Sequence, residues 1–104
     1  MIEINSDSFE QEVLHSSQPV LVDFWGLQCG SCLALMPKVE ALAERYGDKM
    51  KITKVEAPKN RRLCLTLKVL SLPTFLFFKN GKEVDRLSGN ITIQSIEECI
   101  KKMI

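Results

Sequence analysis

The spacing of apolar and polar residues along the chain predicts five strands and four helices. Apolar runs or alternating residues predict strands at residues 2–4, 20–25, 51–56, 74–79 and 82–87. Helical spacing predicts a first helix with polar capping residues at its start, a long helix after Cys29 that ends at Gly47, a short helix capped by Asn60, and a closing helix from Ile93 to Met103. The dipeptide Asn80-Gly81 is typical of a tight hairpin turn between the last two strands.

The order of these elements is β-α-β-α-β followed by α-β-β-α, and this order predicts an α/β sandwich with a parallel half and an antiparallel hairpin. Residues 20–25, "VLVDFW", are apolar on both faces except at Asp23, which is typical of a buried, parallel strand. With 104 residues and no linker or internal repeat, the sequence predicts one domain over residues 1–104.

The composition limits the classes of partner and the cellular compartment that are expected for this protein. A formal net charge of +1 gives no electrostatic reason to expect nucleic acid, and no apolar run is long enough to cross a membrane. The acidic, polar start "MIEINSDSFEQE" has none of the features of a signal peptide. A cytoplasmic protein is therefore expected, and in that reducing compartment a C-x-x-C pair indicates metal binding or redox catalysis more than a structural disulfide.

Cys29 and Cys32 form that pair, and they lie where the second strand gives way to the long helix. A metal site would need further ligands, yet Cys64 and Cys99 form no second C-x-x-C and the only histidine, His15, lies on the first helix. No metal is therefore expected, although an inert cysteine pair stays open.

The positions of the two cysteines predict unequal roles. The free N–H groups at a helix N-terminus stabilise a thiolate, so Cys29 is predicted to be the accessible nucleophile. Cys32 opens the buried stripe one turn later and is predicted to be the shielded, resolving thiol. Gly30 is expected to let the chain turn tightly enough for the sulfurs to meet.

Asp23 is the one charged residue within the apolar second strand. If it is buried, its pKa is raised, and the carboxyl can accept the proton of Cys32 when that thiol attacks. Alternatively, the side chain bends out to solvent or caps a neighbouring group. Lys54, on the strand expected alongside, is either the partner of Asp23 or an ordinary exposed lysine.

The segments "LVDFWGLQCGSC", "MPKVEALAERY", "KITKVE" and "LSLPTFLFFKNGKEVDRLSG" resemble thioredoxins along the whole chain without gaps. The resemblance implies the thioredoxin fold, an α/β fold with a five-stranded mixed sheet flanked by four helices. It also implies protein-disulfide reduction by dithiol–disulfide exchange, with a redox-active disulfide between Cys29 and Cys32, no bound cofactor, and a partner reductase that restores the dithiol.

The same resemblance implies a surface that binds the target protein. Pro73 would follow a cis peptide bond and face the cysteines, and the backbone of Leu72 would pair with an extended target segment. Gly89 would leave room for that segment. Independently of the resemblance, the position of Trp25 just before the cysteine loop predicts either a packing residue or a wall of the site. Targets carrying disulfides are therefore the expected partners, and a monomer is expected.

Four residues depart from the usual thioredoxin pattern. Typical members read "WCGPCK" where this chain reads "QCGSCL", so that Gln28, Ser31 and Leu33 replace tryptophan, proline and lysine; Pro58 replaces an aspartate. A serine that donates a hydrogen bond to the thiolate favours the dithiol form, whereas the loss of a lysine near the thiolate acts in the opposite direction. We therefore expect a reduction potential less negative than the value of about −270 mV typical of thioredoxin.

The segments "LALMPKVEALAERY" and "NRRLCLTLKVLSLPT" also resemble thioredoxins of anaerobic bacteria, some of which are linked to glycine reductase. The type of electron donor therefore stays open. Two other functions are also open: disulfide oxidation or isomerisation, and a binding or assembly module without turnover. Cys64 and Cys99 are expected in the core, with a regulatory or dimer-forming role as the alternative.

Overall fold

A computed structural model describes all 104 residues. The strands are Ile2–Ile4 (β1), Val20–Trp25 (β2), Lys51–Glu56 (β3), Thr74–Lys79 (β4) and Lys82–Ser88 (β5). The helices are the π-helical turn Glu10–Leu14 (α1), Gly30–Tyr46 (α2), Arg61–Thr66 (α3) and Ile93–Met103 (α4), with a 3₁₀ turn at Ala57–Lys59. The predicted order of strands and helices is confirmed.

The five strands form one mixed sheet in the order β1-β3-β2-β4-β5. Strand β3 runs parallel to both β1 and β2, whereas β4 is antiparallel to β2 and β5. Strand β2 lies at the centre because its side chains are apolar on both faces and are covered on both. The loop after β2, which carries the cysteine pair, therefore leaves from the middle of the sheet.

The sheet separates two hydrophobic clusters. Val20, Val22 and Phe24 of β2 pack on the face that carries α1 and α3. Leu21 of β2 packs on the opposite face, with residues of α2 and α4. Because alternate residues of a strand share a face, Asp23 and Leu21 point to the same side of the sheet as α2.

The hairpin at Asn80-Gly81 is confirmed. Both residues have left-handed backbone angles, with φ of 54° at Asn80 and 77° at Gly81. A Cβ at Gly81 would lie 2.8 Å from the carbonyl oxygen of Leu14, so this turn also packs against the end of α1.

Two predicted helix caps are wrong. Asn60 precedes α3, but its side chain does not cap that helix; its Oδ1 accepts hydrogen bonds from the backbone N–H and hydroxyl of Ser6, 2.9 and 3.1 Å away. The polar residues before α1 likewise leave its first turn uncapped, because the Asn5 side chain forms a turn with the N–H groups of Asp7 and Ser8 instead. In both places the side chain has a competing partner that helical spacing does not reveal.

Candidate active site

The loop after β2 delivers two cysteines to the first turn of α2. Cys29 is the N-cap residue, and it forms a disulfide with Cys32 across a Cα–Cα distance of 5.3 Å. The backbone N–H of Cys32 donates to Cys29 Sγ at 3.2 Å. Cys29 is half-buried whereas Cys32 is only 2% exposed, so the two sulfurs differ in access in the predicted direction.

Ser31 lies within reach of the more accessible sulfur. Its hydroxyl oxygen is 3.6 Å from Cys29 Sγ. When the disulfide is reduced, this hydroxyl can donate to the thiolate, in addition to the free N–H groups at the start of α2. Leu33, which stands where typical thioredoxins have lysine, is 43% exposed and contributes no charge here.

The role expected of Gly30 is wrong. This residue is the first of α2, its φ is not in the left-handed region, and a Cβ placed on it would meet no atom within 4 Å. The cysteines therefore meet because they are three residues apart in the first turn of a helix, which brings their side chains to the same side, and no glycine is required between them.

Asp23 is buried, with an exposure of 2%, on the face of the sheet covered by α2. Burial raises the pKa of its carboxyl from 3.8 to about 7, and the positive charge of Lys54 partly offsets this rise. The carboxyl accepts no hydrogen bond that would favour its charged form. The alternative in which this side chain bends out to solvent or caps a neighbour is therefore wrong.

Lys54 lies directly opposite Asp23 in the register of β2 and β3. Lys54 Nζ does not lie within 4.0 Å of either carboxylate oxygen of Asp23. Instead, Lys54 Nζ lies 5.6 Å from the centre of the Trp25 ring, in a cation–π arrangement. Lys54 therefore influences Asp23 through its charge and not through an ion pair.

Trp25 ends β2 and is partly exposed next to the cysteine loop. Its indole nitrogen is buried and has no hydrogen-bond partner. Buried donors are nearly always paired, so this one is unusual.

The loop before β4 lies against the cysteine loop. The Leu72-Pro73 peptide bond is cis, as the resemblance implied. A Cβ at Gly26, whose carbonyl accepts from the Cys29 N–H at 3.1 Å, would lie 3.2 Å from Leu72 Cδ1. No hydrogen bond within the chain uses the backbone N–H or carbonyl of Leu72.

Gly89, which follows β5, has a φ of +82°, is exposed and has open space around its Cα. Gly26, which is not among the site residues predicted from the sequence, is buried against Leu72 and Pro58. The position of Gly26 in the sequence does not predict this contact, because the contact depends on the packing of a distant loop.

The remaining cysteines are separate from this site. Cys64 and Cys99 are free and buried. Burial raises the pKa of both thiols, that of Cys99 to about 11 with a further contribution from its hydrogen bond to Asp85.

No three His, Cys, Asp or Glu side chains are grouped so as to hold a metal ion. None of the helices combines the length and the apolar character that crossing a bilayer requires.

The family model described as thioredoxin matches residues 1–102. The chain belongs to the thioredoxin family. It is 41% identical to the thioredoxin of Acetoanaerobium sticklandii over 105 residues, covering all of both chains. It is 42% identical over 104 residues to the chloroplastic thioredoxin X of Arabidopsis thaliana, covering 98% of this chain and 57% of that one. With the thioredoxin of Porphyra purpurea it shares 35% over 102 residues, covering 98% and 95%.

Thioredoxins are thiol–disulfide oxidoreductases. The chain has the thioredoxin fold and a redox-active pair, Cys29 and Cys32, at the position where the family carries out its chemistry. It is therefore a protein-disulfide reductase that acts by dithiol–disulfide exchange, and its partners are proteins that carry disulfides and a reductase that supplies electrons.

Proposed function

We propose that Cys29 is the nucleophile and Cys32 the resolving thiol of this protein-disulfide reductase. The Cys29 thiolate attacks one sulfur of the target disulfide, and the other target sulfur leaves as a thiolate. Cys32, once deprotonated, attacks Cys29 Sγ and releases the second target thiolate. The two target thiolates take up protons. Two electrons thus pass to the target, and the protein is left with the Cys29–Cys32 disulfide.

The difference in access between the two sulfurs is the observation that carries this assignment. Cys29 caps α2, where the N–H of Cys32 and the hydroxyl of Ser31 both approach its sulfur. These donors and the positive end of the helix dipole stabilise a thiolate. Cys32, at 2% exposure, is shielded from other disulfides and reacts with the sulfur beside it.

Asp23 is proposed to accept the proton of Cys32. Two observations support this role: the carboxyl is on the sheet face that α2 covers, and its pKa of about 7 lets it exchange a proton near neutral pH. Lys54 is a positioning residue in this scheme, since its charge lowers the pKa of Asp23.

The target segment is proposed to lie along Leu72, Pro73 and Gly89, with Trp25 beside it. The free backbone N–H and carbonyl of Leu72 can pair with the target main chain, as in strand addition. Gly89 presents no side chain that would obstruct the segment.

The cytoplasm and a monomeric state are also proposed. Cys64 and Cys99 are unpaired thiols, which is typical of proteins in reducing compartments. Both are buried, so neither offers a sulfur for a disulfide between two copies. A one-domain organisation over residues 1–104 is proposed as well, since these residues form one sheet and the two hydrophobic clusters that cover its faces.

The test is reduction of a protein disulfide by the dithiol form, followed by the same assay on Cys29→Ser, Cys32→Ser and, as a matched control, Cys99→Ser. We expect Cys29→Ser to be inactive, Cys32→Ser to accumulate a mixed disulfide with the target, and Cys99→Ser to retain activity. Undiminished turnover by Cys29→Ser would overturn the assignment of the nucleophile. An inactive wild type would favour a binding or assembly module.

A redox titration separates reduction from oxidation or isomerisation. We expect a potential less negative than about −270 mV but more negative than the value of about −180 mV typical of disulfide isomerases. The Ser31 hydroxyl, 3.6 Å from Cys29 Sγ, supports a potential less negative than that of thioredoxin. A value clearly below that of thioredoxin would contradict it, and one above that of the isomerases would favour an oxidase.

A further inference from the structure

Lys54 stands in the middle of a row of three ionisable residues that crosses three neighbouring strands. Glu3 on β1 lies directly opposite Lys54 on β3, and Asp23 on β2 lies directly opposite Lys54 on its other side. Residues that lie opposite each other in a sheet share a face, so all three belong to the face that α2 covers. The residues two positions before them pack in the hydrophobic cluster of that same face: Met1, Ile52 and Leu21.

The ammonium group of Lys54 is not paired with any carboxylate. No carboxylate oxygen lies within 4.0 Å of Lys54 Nζ, which lies 5.6 Å from the centre of the Trp25 ring. A buried carboxyl such as that of Asp23 attracts a neighbouring ammonium strongly, because little water screens the two charges. The position of Nζ over Trp25 therefore requires a second attraction that opposes the one from Asp23.

Three carboxyl groups neighbour Lys54 in the sheet, and only one of them is both charged and free. Glu56, two residues further along β3, is paired with Lys59 at 3.5 Å. Asp23 is buried, and with a pKa of about 7 it carries only part of a negative charge at neutral pH. Glu3 is exposed, remains hydrated when ionised, and has no cation within 4.0 Å. Glu3 is therefore the carboxylate that opposes the attraction of Lys54 to Asp23.

The other elements on this face bring no further charge to Asp23. Strand β4 places the apolar Phe75 opposite it, and α2 contributes the buried sulfur of Cys32. The titratable side chains of α4 near this side of the sheet have partners of their own: Glu97 with Tyr46 and Arg45, and Cys99 with Asp85. Burial raises the pKa of Asp23 and the charge of Lys54 lowers it. The position of the Lys54 ammonium is thus what a neighbouring group can adjust.

We propose that Glu3 is a positioning residue for the proton transfer from Cys32, because it holds the Lys54 ammonium away from Asp23. The proton that leaves Cys32 Sγ then makes Asp23 a neutral carboxylic acid, the form that its buried site favours. The inference rests on the proposed role of Asp23, and it adds a residue two strands away from that carboxyl. Glu3 acts through Lys54 and takes no part in the exchange of sulfurs.

The first measurement is the titration of Asp23 in the oxidised protein, in which Cys29 and Cys32 are joined and do not titrate. The side-chain carboxyl carbons of ¹³C-labelled aspartate are followed by NMR, and the signal of Asp23 is the one that Asp23→Asn lacks. The proteins compared are the wild type, Glu3→Gln, Lys54→Met, the double variant Glu3→Gln/Lys54→Met and a control, Glu44→Gln. The control removes an exposed carboxylate from α2 and changes the net charge by the same amount as Glu3→Gln.

We expect Glu3→Gln to lower the pKa of Asp23 by about 0.5, because Lys54 then moves toward the carboxyl and a cross-strand charge pair has an effect of this size. Lys54→Met should raise the pKa, and the double variant should have the same pKa as Lys54→Met. Glu44→Gln should not change it. The second measurement is the pH dependence with which the dithiol form reduces a peptide disulfide. The acidic limb of that profile should move to lower pH in Glu3→Gln by the shift seen for Asp23.

Two results would overturn the inference and leave the proposed function standing. One is an Asp23 titration that Glu3→Gln does not change. The other is an equal shift with and without Lys54, which would show that Glu3 acts on Asp23 directly. If the titration of Asp23 shifts as expected but the acidic limb of the profile does not move, the proposed role of Asp23 fails, and the role of Glu3 in proton transfer fails with it.

Discussion

Replacing Asp23 by asparagine should make the stability of the protein less dependent on pH. In the unfolded chain this carboxyl ionises near 3.8, and in the folded protein it ionises near 7. Between these values the folded protein holds a proton that the unfolded chain has released. The free energy of unfolding therefore falls as the pH rises from 4 to 7, and the loss is complete above the folded-state pKa.

The magnitude follows from the two pKa values. The destabilisation caused by Asp23 is about 1.5 kcal/mol at pH 5 and about 4 kcal/mol at pH 8, because one unit of pKa corresponds to about 1.4 kcal/mol. The amide introduced by Asp23→Asn does not titrate, so any cost of burying it is the same at both pH values. The stability of Asp23→Asn relative to the wild type should therefore rise by about 2.5 kcal/mol between pH 5 and pH 8.

The assay is urea unfolding of the oxidised proteins, in which Cys29 and Cys32 are joined and do not titrate. Circular dichroism and the fluorescence of Trp25, the only tryptophan, report the transition. Asp48→Asn, which changes an exposed carboxyl, is the control and should show no such rise. If the stability difference between Asp23→Asn and the wild type were the same at both pH values, the raised pKa would be refuted.

Three further substitutions test other contacts. Ser31→Ala should make the reduction potential about 20 mV more negative, since a hydrogen bond to the thiolate of about 1 kcal/mol is lost; equilibration with glutathione measures it, and an unchanged potential would contradict it. The Arg86 guanidinium donates to two carbonyls at the end of α3, at 2.7 and 2.9 Å. Arg86→Ala should therefore lower the free energy of unfolding by about 2 kcal/mol, whereas the control Lys82→Ala, at an exposed residue, should not. Gly30→Ala should be stabilising by about 0.5 kcal/mol and Gly89→Ala destabilising by about 1 kcal/mol, since only Gly89 has a left-handed φ; equal effects in urea unfolding would refute that distinction.

The arrangement of strands and helices could be predicted because it is encoded over short distances along the chain. Strand β2 is apolar on both faces, so it had to be central, and Asn80-Gly81 can adopt the two left-handed conformations that a tight hairpin needs. The difference in access between Cys29 and Cys32 is also local in origin, since a step of three residues at the start of a helix leads from a half-buried position to a buried one.

The tertiary structure decided which groups meet across the fold. Asn60 stands before α3 as predicted, yet its side chain binds Ser6, which is 54 residues away. The surroundings of the disulfide likewise depend on the packing of Leu72 and Pro58 against Gly26, which no periodicity reveals. Periodicity along a chain reports which side of an element is buried, whereas the partner of each side chain is chosen among all the groups that folding brings near. For that reason the sequence determined the elements and the reactive pair, and the packed structure determined the environment that sets their chemistry.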